Sequence, residues 1–238
     1  MSFIDFSRKT FLVTGASSGV GTAISIYLSK LGARVVLVGR NSEKMEATKG
    51  LLDSTQEHIV APFDLSNTAS IPDWMERTAS KTGLLNGFVH GAGLLSPRPL
   101  SVLEDPDFRA TIALTVEAGL ALAKGYQRIG VGSRPGSIVF VATSKGAFQM
   151  FAPSIAMDLA REKIRLNFVT TSLVNTNVPE DLERQITQDQ FKEPLHINPH
   201  GVTEPVDVAA AVTFYLSDAS RIITGTTLSI DRGYMPQS

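Results

Sequence analysis

Short, almost unbroken apolar runs alternate along this chain with stretches of helical periodicity, and that alternation constrains the fold more than any other feature. Phe11, Leu12 and Val13 form the first run. Val20, Ala23, Ile24, Tyr27, Leu28 and Leu31 then recur at helical spacing, and Gly32 offers a residue free to take a positive φ at the helix end. Arg34 to Gly39 (RVVLVG) has almost no polar alternation, the pattern of a parallel strand covered on both faces. Continued along the chain, the same reading predicts a helix over 42–52, a strand over 57–63, and a helix over 71–82 with Pro72 in its first turn. A strand over 85–90 and a long helix within 105–128 follow. Next come a strand over 136–143 and a helix over 144–163 that Pro153 should bend or interrupt. A strand over 164–170, a polar stretch with a helical piece near 180–190, a helix over 205–216 and a last strand over 227–230 complete the order. No repeat, low-complexity tract or linker divides it. About seven β units in this order imply one doubly wound α/β domain over 1–238.

Composition narrows the partners. A chain of 238 residues can bury a full core without staples. It has no cysteine, which excludes disulfides, thiolate metal sites and cysteine nucleophiles. Its 22 Lys and Arg against 23 Asp and Glu argue against nucleic acid as a main partner. The opening MSFIDFSRKT lacks the apolar core of a secretory signal, and no run reaches the roughly 18 apolar residues of a membrane span. A cytoplasmic protein that does not enter a membrane is the expectation. His196 and His200 have no carboxylate at ligand spacing, so no metal site is expected.

The turn after the first strand carries the strongest functional signal. It reads Thr14-Gly15-Ala16-Ser17-Ser18-Gly19-Val20-Gly21. Gly15 allows a tight turn, and Gly19 and Gly21 let backbone and helix approach a pyrophosphate. Amides at the helix start, Val20 among them, and the positive end of the helix dipole favour its charge, while Ser17 and Ser18 can add hydroxyl donors. No Lys follows the last glycine, so the turn is not the loop of an ATP or GTP hydrolase. Together with the strand order, this predicts a Rossmann-type dinucleotide-binding domain with a mainly parallel seven-stranded sheet and helices on both faces.

The end of the second strand selects the dinucleotide. A carboxylate there would hold both free ribose hydroxyls of NAD, but the chain has Gly39-Arg40-Asn41. Arg40 offers a planar donor fork to a 2′-phosphate, which favours NADP. The other reading leaves Arg40 a solvated loop residue stacked on adenine. Asp64, after the third strand, either accepts from the adenine amino group or caps the next helix. His90 either faces the cofactor edge or is a satisfied structural histidine.

These residues together resemble the classical short-chain dehydrogenase/reductase family. TGASSGVG is similar to its TGxxxGxG motif, and Asp64-Leu65 to its adenine-contacting pair. His90-Gly91-Ala92-Gly93 stands where many members have Asn-Asn-Ala-Gly. Ile164-Arg165-Leu166-Asn167 resembles its IRVN strand, and Thr224-Gly225 with Asp231-Arg232-Gly233 its closing TG…DGG. The resemblance covers nearly the whole chain. It implies NAD(P)-dependent interconversion of small-molecule carbonyls and alcohols, such as 3-oxoacyl groups or other ketones, in a homotetramer or homodimer. It also implies that Gly91, Ala92 and Gly93 line the cofactor and that Thr176 binds the carboxamide or a phosphate. The polar stretch over 176–203 would then be a substrate lid.

The family site pairs a Ser, a Tyr and a Lys with a helix Asn. Lys145, in Ser144-Lys145-Gly146-Ala147, matches the Lys; Thr143 is a hydroxyl counterpart of the Ser; Thr115 stands at the Asn position. The Tyr should lie four residues before the Lys, where this chain has Val141, which cannot donate a proton. Thr143 precedes Lys145 by two residues where the family has about seventeen, so roughly fifteen residues that should carry the Tyr are absent. Three accounts stand open. Either the working protein carries a further loop between Thr143 and Ser144, or a continuous chain binds the cofactor without the chemistry, or the acid comes from elsewhere. Tyr27 and Tyr215 sit on apolar helical faces, Tyr126 lies too far along its helix, and Tyr234 is in the carboxyl tail.

Overall fold

The computed structural model describes residues 4–17, 19–93, 104–142, 147–171, 174–175 and 203–232. Its strands are β1 (Thr10–Thr14), β2 (Arg34–Gly39), β3 (Ile59–Pro62), β4 (Leu85–His90), β5 (Gly132–Ala142), β6 (Ile164–Thr171) and β7 (Thr227–Ile230). The described helices are α1 (Gly19–Lys30), α2 (Ser42–Lys49), α3 (Ile71–Thr82), α4 (Asp105–Ile112), α5 (Ala118–Gln127), α6 (Ala147–Arg161) and α7 (Pro205–Leu216). The sheet runs β3-β2-β1-β4-β5-β6-β7, and every neighbouring pair is parallel. This is the doubly wound α/β architecture expected from the sequence.

The unbroken apolar runs follow from burial on both faces. Leu12 joins Phe88, Ile138, Phe140 and Leu166 on one face, where Leu122 and Tyr126 of α5 and Leu159 of α6 pack. Its neighbours Phe11 and Val13 join Val35, Val89 and Val139 on the other, under Ile24 and Leu28 of α1 and Val212 of α7. Successive side chains point to opposite faces, so a strand covered twice has no polar position to spare.

The differences from the expected elements have local causes. The helix expected over 105–128 is α4 and α5 joined by a π turn at Ala113–Glu117. Strand β5 begins four residues early, and a register shift absorbs the extra length: Gly132 pairs with Leu85, and Ser137 with Gly87. Pro153 does not interrupt α6, which runs through it from Ala147 to Arg161. Proline forgoes one backbone bond there, and burial of Ala156 and Leu159 holds the helix on the sheet. The helical piece expected near 180–190 lies outside the described residues, as does most of the expected lid. The ends of that stretch do meet: Val174 and Thr203 form a parallel bridge, and Asn175 N–H donates to the Thr203 carbonyl over 2.8 Å.

Candidate cofactor site

Parallel strands bring their carboxyl ends to one edge, and the strand order reverses direction between β1 and β4. A cavity of about 290 Å³ opens there. Gly15 and Ser17 from the turn after β1, Gly39 and Arg40 at the end of β2, and Asp64 and Leu65 after β3 form part of its wall. Gly91, Ala92 and Gly93 after β4 line it too, whereas Gly19, Val20 and Gly21 of the expected set are not among its lining residues. Phe63, Ser66, Ala110, Ala113 and Leu114 line it as well and were not foreseen.

The glycine turn closes against its own backbone. Gly15 has φ +70°, and a Cβ on it would stand 2.8 Å from the Gly91 carbonyl oxygen. A Cβ on Gly21 would lie 2.1 Å from the Gly15 carbonyl oxygen. Both positions therefore require glycine. The packing starts α1 at Gly19, so the first-turn amides of Gly19, Val20 and Gly21 lack intrahelical acceptors and the positive end of the helix faces the turn.

Arg40 and Asp64 differ in how they are held. The Arg40 side chain is exposed and has no hydrogen bond or ion pair among the described residues. The Asp64 carboxylate accepts from the Ser66 N–H at 3.0 Å. That bond, the Ser66 side chain and the nearby Arg40 charge hold its pKa below the usual carboxylate range. Asp64 thus caps the turn that follows β3, while Ser70 stands at the N-cap of α3.

His90 is fully engaged. Its Nε2 lies 3.1 Å from the Thr115 carbonyl and 3.2 Å from that of Leu114. Carbonyls only accept, so Nε2 carries the proton and Nδ1 accepts from Thr14 Oγ1 at 2.9 Å. The same Thr14 oxygen accepts from the Gly91 and Ala92 amides at 3.1 and 3.2 Å. Burial pushes the His90 pKa down to about 4, so the ring is neutral. His90 is therefore a structural histidine: it ties β1, β4 and the π turn together behind the cavity. The role of Thr14 was not foreseen, although it opens the glycine motif.

Thr115, in the π turn, donates its hydroxyl proton to the Thr111 carbonyl at 2.6 Å. A Cβ on Gly93 would lie 3.6 Å from its methyl group, so the two are neighbours at the site. Val141 is half-buried in β5 and pairs with Val169, one residue before the strand ends. Four residues separate Ala142 from the start of α6. Thr171, at the end of β6, has a buried hydroxyl with no hydrogen-bond partner among the described residues. Ser18, Thr143, Lys145 and Thr176 lie outside the described residues. Among the described residues no group of His, Asp or Glu could hold a metal ion, and no helix is long and apolar enough to cross a membrane.

Sequence comparison gives this geometry its family. A family model described as enoyl-(acyl carrier protein) reductase matches residues 15–235. The chain belongs to the short-chain dehydrogenase/reductase family. It is 29% identical to the 3-oxoacyl-[acyl-carrier-protein] reductase FabG of Rickettsia prowazekii, over 98% of this chain and 99% of that protein. Among solved structures, a short-chain dehydrogenase/reductase from Brucella melitensis superposes with a TM-score of 0.86 at 23% identity, over 98% of this chain and 99% of that one. A 3-oxoacyl (acyl-carrier-protein) reductase from Agrobacterium tumefaciens with NADP bound gives 0.85 at 24% identity, over 97% and 95%. Membership makes the chain a member of an oxidoreductase family; the cavity and its glycine turn fit the dinucleotide that such enzymes use.

Proposed function

We propose that this short-chain dehydrogenase/reductase uses NADP(H) to interconvert a small carbonyl and its alcohol, with a 3-oxoacyl group or a related ketone as substrate. The carrying observation is Arg40: an exposed guanidinium in the wall of the cofactor cavity, with no hydrogen bond or ion pair among the described residues and no carboxylate at the end of β2 to repel a 2′-phosphate. The NADP-bound Agrobacterium neighbour and the 3-oxoacyl reductase relatives support the same reading. NADP(H), when bound, supplies or takes the hydride.

The chain's own residues would divide the remaining work. The Gly15–Gly21 turn and the α1 amides hold the pyrophosphate, with Ser17 and Ser18 as donors. Arg40 holds the 2′-phosphate, and Asp64 and Leu65 bound the adenine. Gly91, Ala92 and Gly93 keep the β4 edge open beside it. Lys145 binds the nicotinamide ribose, Thr176 the carboxamide or a phosphate, and Thr143 the substrate oxygen. Thr115 keeps lone pairs for a water, because only its proton is spent on Thr111.

One observation favours a second reading, a dinucleotide-binding protein without turnover. Val141 occupies the position of the proton donor and is locked in β5. Carbonyl reduction needs a proton at oxygen as the hydride reaches carbon, and valine has none to give.

Two measurements separate these readings. The purified protein is mixed with NADPH and a 3-oxoacyl thioester while cofactor absorbance is followed, and peptides are mapped across Ser137 to Arg161. Steady NADPH consumption supports the reductase. NADPH binding without consumption, with a peptide joining Thr143 directly to Ser144, supports the second reading.

A further inference from the structure

A second cavity, of about 600 Å³, lies at the opposite edge of the sheet. Lys9 and Phe11 at the start of β1, Asn86 of β4, and Ile164 and Arg165 at the start of β6 help to form it. One strand length, ~13 Å for the five residues of β1, separates this edge from the cofactor cavity.

Its charge is lopsided. Lys9, Arg134, Lys163, Arg165 and Arg221 line it, with Asp218 the one carboxylate among the lining residues. Lys9 takes Asp218 at 3.1 Å, and Glu162, beside the cavity, takes Arg134 at 2.8 Å. Three cations are left, in a chain whose net charge is −1. Arg165 is half-buried and donates only to neutral groups: Ser220 Oγ at 3.0 Å and the Ser217 and Ile223 carbonyls at 3.2 and 3.4 Å. Burial lowers its pKa, and the Asp218 charge, already paired with Lys9, opposes that shift only in part. The Lys163 and Arg221 side chains have no hydrogen bond or ion pair among the described residues. Lys163 moreover has φ +59°, a left-handed conformation that favours glycine. Lys163 ends the turn after α6, its N–H donating to the Ala160 carbonyl at 3.0 Å, and its side chain is exposed. Phe11, Leu216 and Pro135 add apolar wall.

We infer that this cavity binds a small phosphate monoester, its dianion held by Arg165, Lys163 and Arg221 and its organic body against Phe11 and Leu216. The volume suits a compact metabolite-sized ligand, and three cations without an ion pair among the described residues exceed what a monoanion would neutralise. The site does not depend on the cofactor reading, because it shares no residue with the cofactor cavity.

Phenyl phosphate is the probe, titrated calorimetrically into the full chain, with phenol as the neutral control. The double substitution Lys163→Gly, Arg221→Glu removes two cations at exposed positions, and glycine relieves the positive φ, so folding is preserved. Phenyl phosphate should bind the wild type while phenol does not, and its Kd should rise at least tenfold in the double variant. Arg40→Ala should leave that Kd unchanged. Equal affinity in the double variant, no binding by the wild type, or loss of binding with Arg40→Ala would overturn the inference; the last would place the phosphate in the cofactor cavity.

Discussion

His90 ties the site to pH through one proton. The free imidazole titrates near 6.5, and burial holds the folded ring down to about 4. Between these values the unfolded chain binds a proton that the folded chain does not. Stability is therefore full above pH 6.5 and falls as the pH drops toward 4, by up to roughly 3 kcal/mol from this group alone. Denaturant unfolding of the wild type and of His90→Asn across that range checks it. The wild type should lose stability with acid through the window, and the variant should lose clearly less; parallel curves would contradict the assignment. Residue identity showed Gly15 and Gly21 directly, because a tight turn acts through local chemistry, and the position of Arg40 in the cavity wall follows from its place at the end of β2. The locking of His90 was not legible: its partners Thr14 and Thr115 lie far away in sequence and meet only across the sheet and the π turn.

At the scale of elements, Tyr126 ties α5 to β4 by a hydrogen bond and packs against β5. The phenol is buried, its hydroxyl donates to the Leu85 carbonyl at 3.0 Å, and burial raises its pKa to about 12. It packs where Gly132 and Gly136 admit it: a Cβ on Gly136 would lie 2.4 Å from the Tyr126 oxygen. Tyr126→Phe leaves a buried carbonyl short of a donor and should cost about 1–3 kcal/mol, read as a lower denaturant midpoint with an unchanged slope. No change would show that the hydroxyl carries nothing. The strands over 85–90 and 227–230 and the helices over 71–82 and 205–216 were legible to the residue, because their apolar periods end at turn residues or prolines. The early start of β5 was not, since 132–135 reads as a Gly- and Pro-containing turn and pairs only through a register shift against β4. The π turn was equally hidden, because apolar spacing does not distinguish one extra residue per turn from a regular helix.

At the scale of the molecule, the parallel sheet puts one cavity at each edge, and the helices on its flanks leave apolar groups outside. Phe108 of α4 is 57% exposed and Met157 of α6 is 63% exposed. We propose that these helices form the contact of a homodimer or homotetramer. Light scattering on the gel-filtered protein should give a dimer or tetramer mass, and Phe108→Glu should shift it downward; a monomeric wild type would contradict the proposal. The fold was legible at this scale because the order of apolar runs and helical periods admits few topologies. The completeness of the catalytic site was not, because Thr143 and Lys145 stand two residues apart where the family pattern has about seventeen, and Val141 fills the position of the Tyr.

The most direct test of the account is a calorimetric titration of the protein with NADPH and with NADH, repeated on Arg40→Ala. The account predicts that the wild type binds NADPH at least tenfold more tightly than NADH, a charge-assisted contribution of about 1.4 kcal/mol or more, and that Arg40→Ala erases the difference by weakening NADPH alone. Equal affinities in the wild type, or a preference for NADPH that survives Arg40→Ala, would contradict it.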